Sequence, residues 1–124
     1  MQLLNLKNNY ISGKFAEFIA KLFLTLKGYR IISSRYSAIR GTQAGEVDII
    51  AKRLHTIVFI EVKKRTTIDL AKQVIFSKQQ NRIYHSAEIF IAKHPKYTGY
   101  NFRFDAICFN KFYIFTHIKN AWGI

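Results

Sequence analysis

Cysteine is almost missing from this 124-residue sequence, where Cys108 is the only one. An intrachain disulfide is impossible, and so is a zinc site built from several thiolates. Proline occurs once, at Pro95, and glycine six times. That excludes collagen-like and Pro/Gly-rich low-complexity chains. No apolar run is long enough to span a bilayer. The most apolar helical stretch, 18–26, is short and broken by Lys21. Residues 1–9 lack a continuous apolar segment and do not read as a secretory signal. Neither a P-loop, nor GxGxxG, nor a Ser-His-Asp arrangement occurs. The expected setting is the reducing cytoplasm.

Acidic residues are the other scarcity. Seven Asp+Glu stand against 20 Lys+Arg, a formal charge of +13. A surface so basic attracts polyanions, which makes nucleic acid the expected partner. The alternative is a solvated lysine surface inflated by AT-rich codon usage, since Lys, Asn, Ile, Tyr and Phe are all abundant. The basic residues are scattered and not gathered on one amphipathic helix, so no membrane partner is expected. Hydrophobic residues make up 49% of the chain, too many for disorder. The length fits one domain over 1–124, with 1–10 as a loose leader.

Ser12 can cap a first helix that runs to about Lys27. Ile11, Phe15, Phe18, Ile19, Leu22, Phe23 and Leu26 recur at helical spacing as its expected core stripe. Gly28 follows where a helix favours glycine. Tyr29 to Ser33 reads as a strand, 37–45 as a flexible loop, and Glu46 to Lys52 and Thr56 to Lys63 as two further strands. A second helix is predicted from about Lys72 to Lys93, stopped by Pro95. Its apolar face carries Phe76, Ile83, Ala87 and Phe90. Phe102 to Cys108 and Phe112 to His117 complete a predicted order α-β-β-β-α-β-β. That order implies an α/β fold with a central mixed sheet flanked by helices.

Three of the seven acids fall on two otherwise apolar strands, in Glu46-Val47-Asp48-Ile49-Ile50 and Phe59-Ile60-Glu61-Val62-Lys63. Residues two apart on a strand share a face. A tight turn at Leu54-His55 would place Asp48 opposite Glu61 and Glu46 opposite Lys63, with Cβ atoms about 4.5–5.5 Å apart. A slip of one residue would separate them onto opposite faces. Two opposed carboxylates in an apolar sheet repel each other and cost desolvation energy. A divalent cation such as Mg2+ or Mn2+ removes that conflict, because hard cations take one or two carboxylates plus waters and phosphates. Such a cation acidifies bound water and neutralises charge on a phosphodiester, and Lys63 could orient the water. The alternative is structural: charged edge strands block aggregation, and Glu46 with Lys63 can be an ordinary cross-strand ion pair.

At these residues the chain resembles a family. Gly45-Glu46-Val47-Asp48 and Phe59-Ile60-Glu61-Val62-Lys63-Lys64-Arg65 look like the YraN-like bacterial proteins, similar in fold to restriction endonucleases and Holliday-junction resolvases of the PD-(D/E)xK superfamily. Gly13-Lys14-Phe15-Ala16-Glu17, Gly28-Tyr29, Lys78, Arg82, Ala87, Arg103-Phe104-Asp105 and His117-Ile118-Lys119-Asn120-Ala121 extend the likeness over nearly the whole chain. The resemblance implies a restriction-endonuclease-like fold, metal-binding acids at Asp48 and Glu61, the catalytic lysine at Lys63 and the first-helix glutamate at Glu17; Glu46, on the same face as Asp48, would assist. It implies DNA as substrate, and resolvases of this fold act as dimers. The stretch between Arg35 and Gly45 is longer than is usual in the family, and Leu54-His55 replaces the common glycine or aspartate.

Outside that cluster, Lys78, Arg82 and His85 share one face of the second helix, able either to track phosphates or simply to be solvated. Arg65 is placed to hold a substrate phosphate. Glu17 could serve the site or pair along its helix with Lys14 and Lys21. Arg103 and Asp105, two apart on a strand, read as an internal salt bridge. Two functions follow: a Mg2+-dependent endonuclease acting on structured DNA, or a non-catalytic nucleic-acid-binding module on the same scaffold.

Overall fold

The computed structural model describes residues 2–38, 46–64, 77–110 and 114–121, with side chains described for 13–38, 46–63, 80–110 and 114–121. Among these, the elements are helix α1 (Gln2–Leu26), strands β1 (Arg30–Tyr36), β2 (Val47–Arg53) and β3 (Thr56–Lys64), helix α2 (Ser77–Lys93), a 3-10 turn (Pro95–Tyr97), and strands β4 (Asn101–Phe109) and β5 (Phe115–Ile118). The strands form one five-stranded sheet in the order β1-β2-β3-β4-β5. Only the β3–β4 pairing is parallel. This is the mixed α/β arrangement expected from the sequence.

β3 lies at the centre, and Ile57 to Glu61 are all buried. Both of its faces are covered, which is why it reads as a continuous apolar run and not an alternating one. On one face Ile50, Ile57, Phe59 and Phe104 pack with Ile83, Ala87 and Phe90 of α2. On the other, Ile49, Val58, Ile60 and Ile107 pack with Ala20 and Leu24 of α1. The apolar face foreseen for α2 is the buried one, with Phe76 outside the described residues.

α1 departs from expectation twice. It is helical from Gln2, so residues 2–10 are not a loose leader and Ser12 does not start the helix. Its buried side is Ala16, Ala20 and Leu24, while Phe15, Phe18, Leu22 and Leu26 are exposed. The helix is apolar nearly all round, so spacing alone cannot choose its inner face. Large side chains of the sheet already fill the interface, and the small alanines let the helix backbone approach.

Gly28 ends α1 as expected. Its φ is +93°. The amide of Tyr29 donates to Leu24 O at 2.9 Å and that of Gly28 to Thr25 O at 3.1 Å. These are the paired bonds of a Schellman cap.

No helix among the described residues is long and apolar enough to cross a membrane. Cys108 is buried.

Candidate functional site

The β2–β3 hairpin turns on Leu54-His55. Arg53 pairs with Thr56, and the ladder continues in register to Ile49 with Ile60. The next step brings Asp48 opposite Glu61, as the sequence arithmetic foresees. There the ladder stops. The amide of Val62 donates to Asp48 Oδ2 at 2.8 Å, so a side chain takes a bond that a sheet normally gives to backbone. Lys63, one residue further, lies with its Nζ 3.6 Å from Glu61 Oε2.

Burial and mutual repulsion dominate the electrostatics here. Glu61 is 3% exposed. Its carboxyl is pushed up to about 8, first by burial, then by the charge of Asp48, against the pull of Lys63. Asp48 is pushed up to about 6 by burial and by the charges of Glu17 and Glu46, while the Val62 amide and Lys63 pull it down. Two carboxylates that resist ionisation side by side are a common feature of sites that bind cations or move protons. Solvent reaches the cluster past half-buried Asp48, Lys63 and exposed Glu46.

Glu17 lies within electrostatic reach of Asp48, but its partner is neither Lys14 nor Lys21. Arg35 grips it, with NH2 2.6 Å and Nε 3.0 Å from Oε2. Lys21 instead donates to Ser34 Oγ at 3.1 Å. Arg35 is a site neighbour that the sequence did not reveal. Its flanking residues pair with Ile49 and Val47, which sets it beside Asp48 on β1. It reaches α1 from a left-handed backbone, φ +53°, beyond a register shift between Ile31 and Ser33. Nothing in the residue pattern announces that bend.

The expected nucleic-acid contacts are only partly described. Arg82 is exposed on α2 beside exposed His85. The side chain of Lys78 and the whole of Arg65 lie outside the described residues. A cavity of about 290 Å3, lined by Phe59, Tyr84, Glu88 and Phe102 among others, opens beside α2 and includes none of the clustered acids.

A second polar cluster holds the far side of the sheet. Asp105, fully buried, accepts from Arg103 Nε at 2.8 Å, Arg103 NH2 at 2.9 Å, His117 Nε2 at 2.7 Å and the Asn120 amide at 2.9 Å. Arg103 also donates to Tyr29 Oη at 2.7 Å. Lys27 Nζ lies 3.3 Å from His117 Nδ1. An ammonium only donates, so Nδ1 accepts and Nε2 carries the proton given to Asp105. Burial alone would raise the Asp105 carboxyl, but His117, Arg103 and the Asn120 amide outweigh it and hold it below the usual range. The Arg103–Asp105 pair foreseen from the sequence is therefore the centre of a larger clamp. It joins β4, β5 and the residue after α1's cap.

The profile described as Uncharacterised protein family UPF0102 matches residues 16–109. The chain belongs to the UPF0102 family. The match runs from Ala16 on α1 to Phe109 at the end of β4, so it includes Glu17, Glu46, Asp48, Glu61 and Lys63. A UPF0102 protein of Paramagnetospirillum magneticum is 39% identical over 112 residues, covering 90% of this chain and 87% of the relative. One from Methylorubrum extorquens is 38% identical, covering 90% and 84%. One from Bradyrhizobium diazoefficiens is 41% identical over 96 residues, covering 77% and 69%. The YraN-like resemblance seen in the sequence is this same UPF0102 membership.

Proposed function

We propose that this UPF0102 protein is a divalent-metal-dependent endonuclease acting on branched or otherwise structured DNA. The observation that carries the reading is the fork between β2 and β3. There Asp48 and Glu61 face each other, both with raised carboxyl pKa values, and Lys63 stands 3.6 Å from Glu61. Two carboxylates from neighbouring strands, one half-buried and one buried, suit a hard cation that completes its shell with water and substrate phosphate. Bound there, Mg2+ or Mn2+ would acidify a water and offset charge on the phosphodiester.

The side chains do the rest. Asp48 is oriented by the Val62 amide, which binds Oδ2. Lys63 holds the attacking water or steadies the phosphoryl oxygens. Glu46 lies at the exposed entrance. Glu17 is restrained by Arg35, so its influence on Asp48 acts through charge. The +13 chain holds the DNA backbone while the few acids hold the metal. Two copies of the chain, a homodimer, would present two such clusters to a branched substrate.

A second reading has its own support. Among the described residues no three His, Cys, Asp or Glu side chains form a complete metal cage. A nucleic-acid-binding module on the nuclease-like scaffold needs none. The two readings part in one assay: purified protein with Mg2+ or Mn2+ on duplex, single-stranded and four-way-junction DNA, beside Asp48→Ala and Lys63→Ala. Metal-dependent cleavage lost in both variants supports the nuclease. Salt-sensitive binding without cleavage supports the module. Cleavage undiminished in both variants rejects the site.

A further inference from the structure

The opposite end of the β2–β3 hairpin carries a cluster with no part in the site above. Arg30 on β1 pairs directly with Lys52 on β2. Two like charges facing each other across a ladder destabilise a sheet. The acids with described side chains all lie elsewhere: Glu17 is held by Arg35, Glu46, Asp48 and Glu61 line the fork, Glu88 is on α2, and Asp105 is buried in its clamp. Among the described residues neither Arg30 nor Lys52 forms an ion pair with a carboxylate.

Two cations here, Lys52 and Lys96, rest on aromatic rings. Lys52 Nζ lies 5.3 Å from the Tyr100 ring centre, and Lys96 Nζ lies 5.1 Å from that of Tyr97. His55 stacks on Tyr100 at 4.2 Å, and Tyr97 meets Tyr100 edge-on at 5.4 Å. Two bonds lock the turns that carry these rings. The Asn101 amide donates to His55 O at 2.9 Å, and His55 Nε2 donates to Gly99 O at 3.2 Å. An aromatic platform therefore connects Lys52 with Lys96, the β1–β2 ladder sets Arg30 beside Lys52, and backbone bonds set the platform's shape before any ligand arrives. A polyanion would relieve the opposed pair and find donors already in place.

We infer that Lys52 and Lys96, held on the Tyr100–His55–Tyr97 platform, together with Arg30 directly opposite Lys52 on β1, form a second nucleic-acid contact that binds backbone phosphates remote from the metal-binding fork. Thr56 and Glu61 are five residues apart on β3, about 17 Å of strand. The contact thus meets phosphates several nucleotides from any bond cut at the fork. The inference rests on the nucleic-acid part of the proposed function and not on cleavage.

The test is a fluorescence-polarisation titration of labelled duplex and single-stranded DNA in EDTA, over a series of salt concentrations. Arg30→Gln/Lys52→Gln/Lys96→Gln is compared with the unmodified chain. Lys14→Gln/Lys119→Gln beside Arg30→Gln/Lys52→Gln controls for net charge. The expected result is a salt slope shallower by about 2–3 in the triple variant, and affinity lower by roughly tenfold or more at low salt. The control pair should lose much less than Arg30→Gln/Lys52→Gln. Thermal melting checks folding, and Arg30→Gln should melt no lower than the unmodified chain because it removes a repulsion. Equal losses in the two charge-matched pairs overturn the inference and leave general DNA binding intact. Absence of any binding by the unmodified chain overturns both.

Discussion

Asp48 Oδ2 accepts the amide of Val62 at 2.8 Å, across the point where β2 leaves β3. This bond orients the carboxylate and closes the end of the ladder. An asparagine can make the same bond without the charge, whereas alanine cannot. At pH 5, where the Asp48 carboxyl is largely protonated, Asp48→Asn is therefore expected to melt close to the unmodified chain. Asp48→Ala should lose about 1 kcal/mol or more, the usual cost of a partly buried donor left without its partner. Urea denaturation of the two variants measures the difference, and equal stabilities would show that the bond is idle.

The raised carboxyls make stability depend on pH in a definite direction. Asp48 moves to about 6 and Glu61 to about 8, both above their ordinary values near 4. The folded state thus binds more protons than the unfolded one through this interval, and stability falls as pH rises. In metal-free buffer the melting temperature should drop from pH 5 toward pH 8.5. Glu61→Gln should flatten the fall and melt higher than the unmodified chain at pH 8.5, since it removes a buried charge. A melting temperature that rises with pH in both proteins would contradict the electrostatic picture.

Asp105 predicts the opposite sign. Its carboxyl is held below the usual range, so its contribution is complete above about pH 4 and is lost on acidification through its lowered folded pKa. Asp105→Asn removes the charge and one of the two oxygens that Arg103, His117 and the Asn120 amide share, sets an NH2 against their donors, and should cost about 3–5 kcal/mol in urea. The gap between variant and unmodified chain should persist down to about pH 5 and narrow below about pH 4. A variant that unfolds with the same midpoint would show that the clamp is dispensable.

Where local rules decided the outcome, the sequence was a good guide. Two turn residues between two apolar strands leave little freedom, so the pairing of Asp48 with Glu61 could be read in advance. Gly28 likewise marked the end of α1. The inner face of α1 was not legible, because Phe15, Phe18 and Leu22 make as strong a stripe as Ala16, Ala20 and Leu24. Only the space left by the sheet decides between them. Arg35 was also missed. Its approach to Glu17 depends on a register shift and a left-handed residue, and neither follows from composition. The clamp around Asp105 was read as one ion pair, since its third and fourth donors, His117 and the Asn120 amide, lie beyond the strand.

Leu54 tests the turn itself. It is 85% exposed and has φ +53°, a conformation that costs a β-carbon residue about 1–2 kcal/mol. Leu54→Gly is expected to stabilise the chain by about 0.5–1 kcal/mol, part of the relief being offset by glycine's greater freedom when unfolded. Thermal and urea denaturation check it. A destabilised variant would mean that the leucine side chain contributes packing that outweighs its backbone cost.

The proposed endonuclease requires the Asp48–Glu61 fork to hold a divalent cation. Calorimetric titration of the chain with Mn2+ in the absence of DNA addresses it directly. A saturable heat is expected, with an affinity that rises between about pH 6 and pH 8 as protons compete less for the two carboxyls, and it should disappear in both Asp48→Asn and Glu61→Gln. An identical heat in the two variants, or none in the unmodified chain at pH 8, would contradict it.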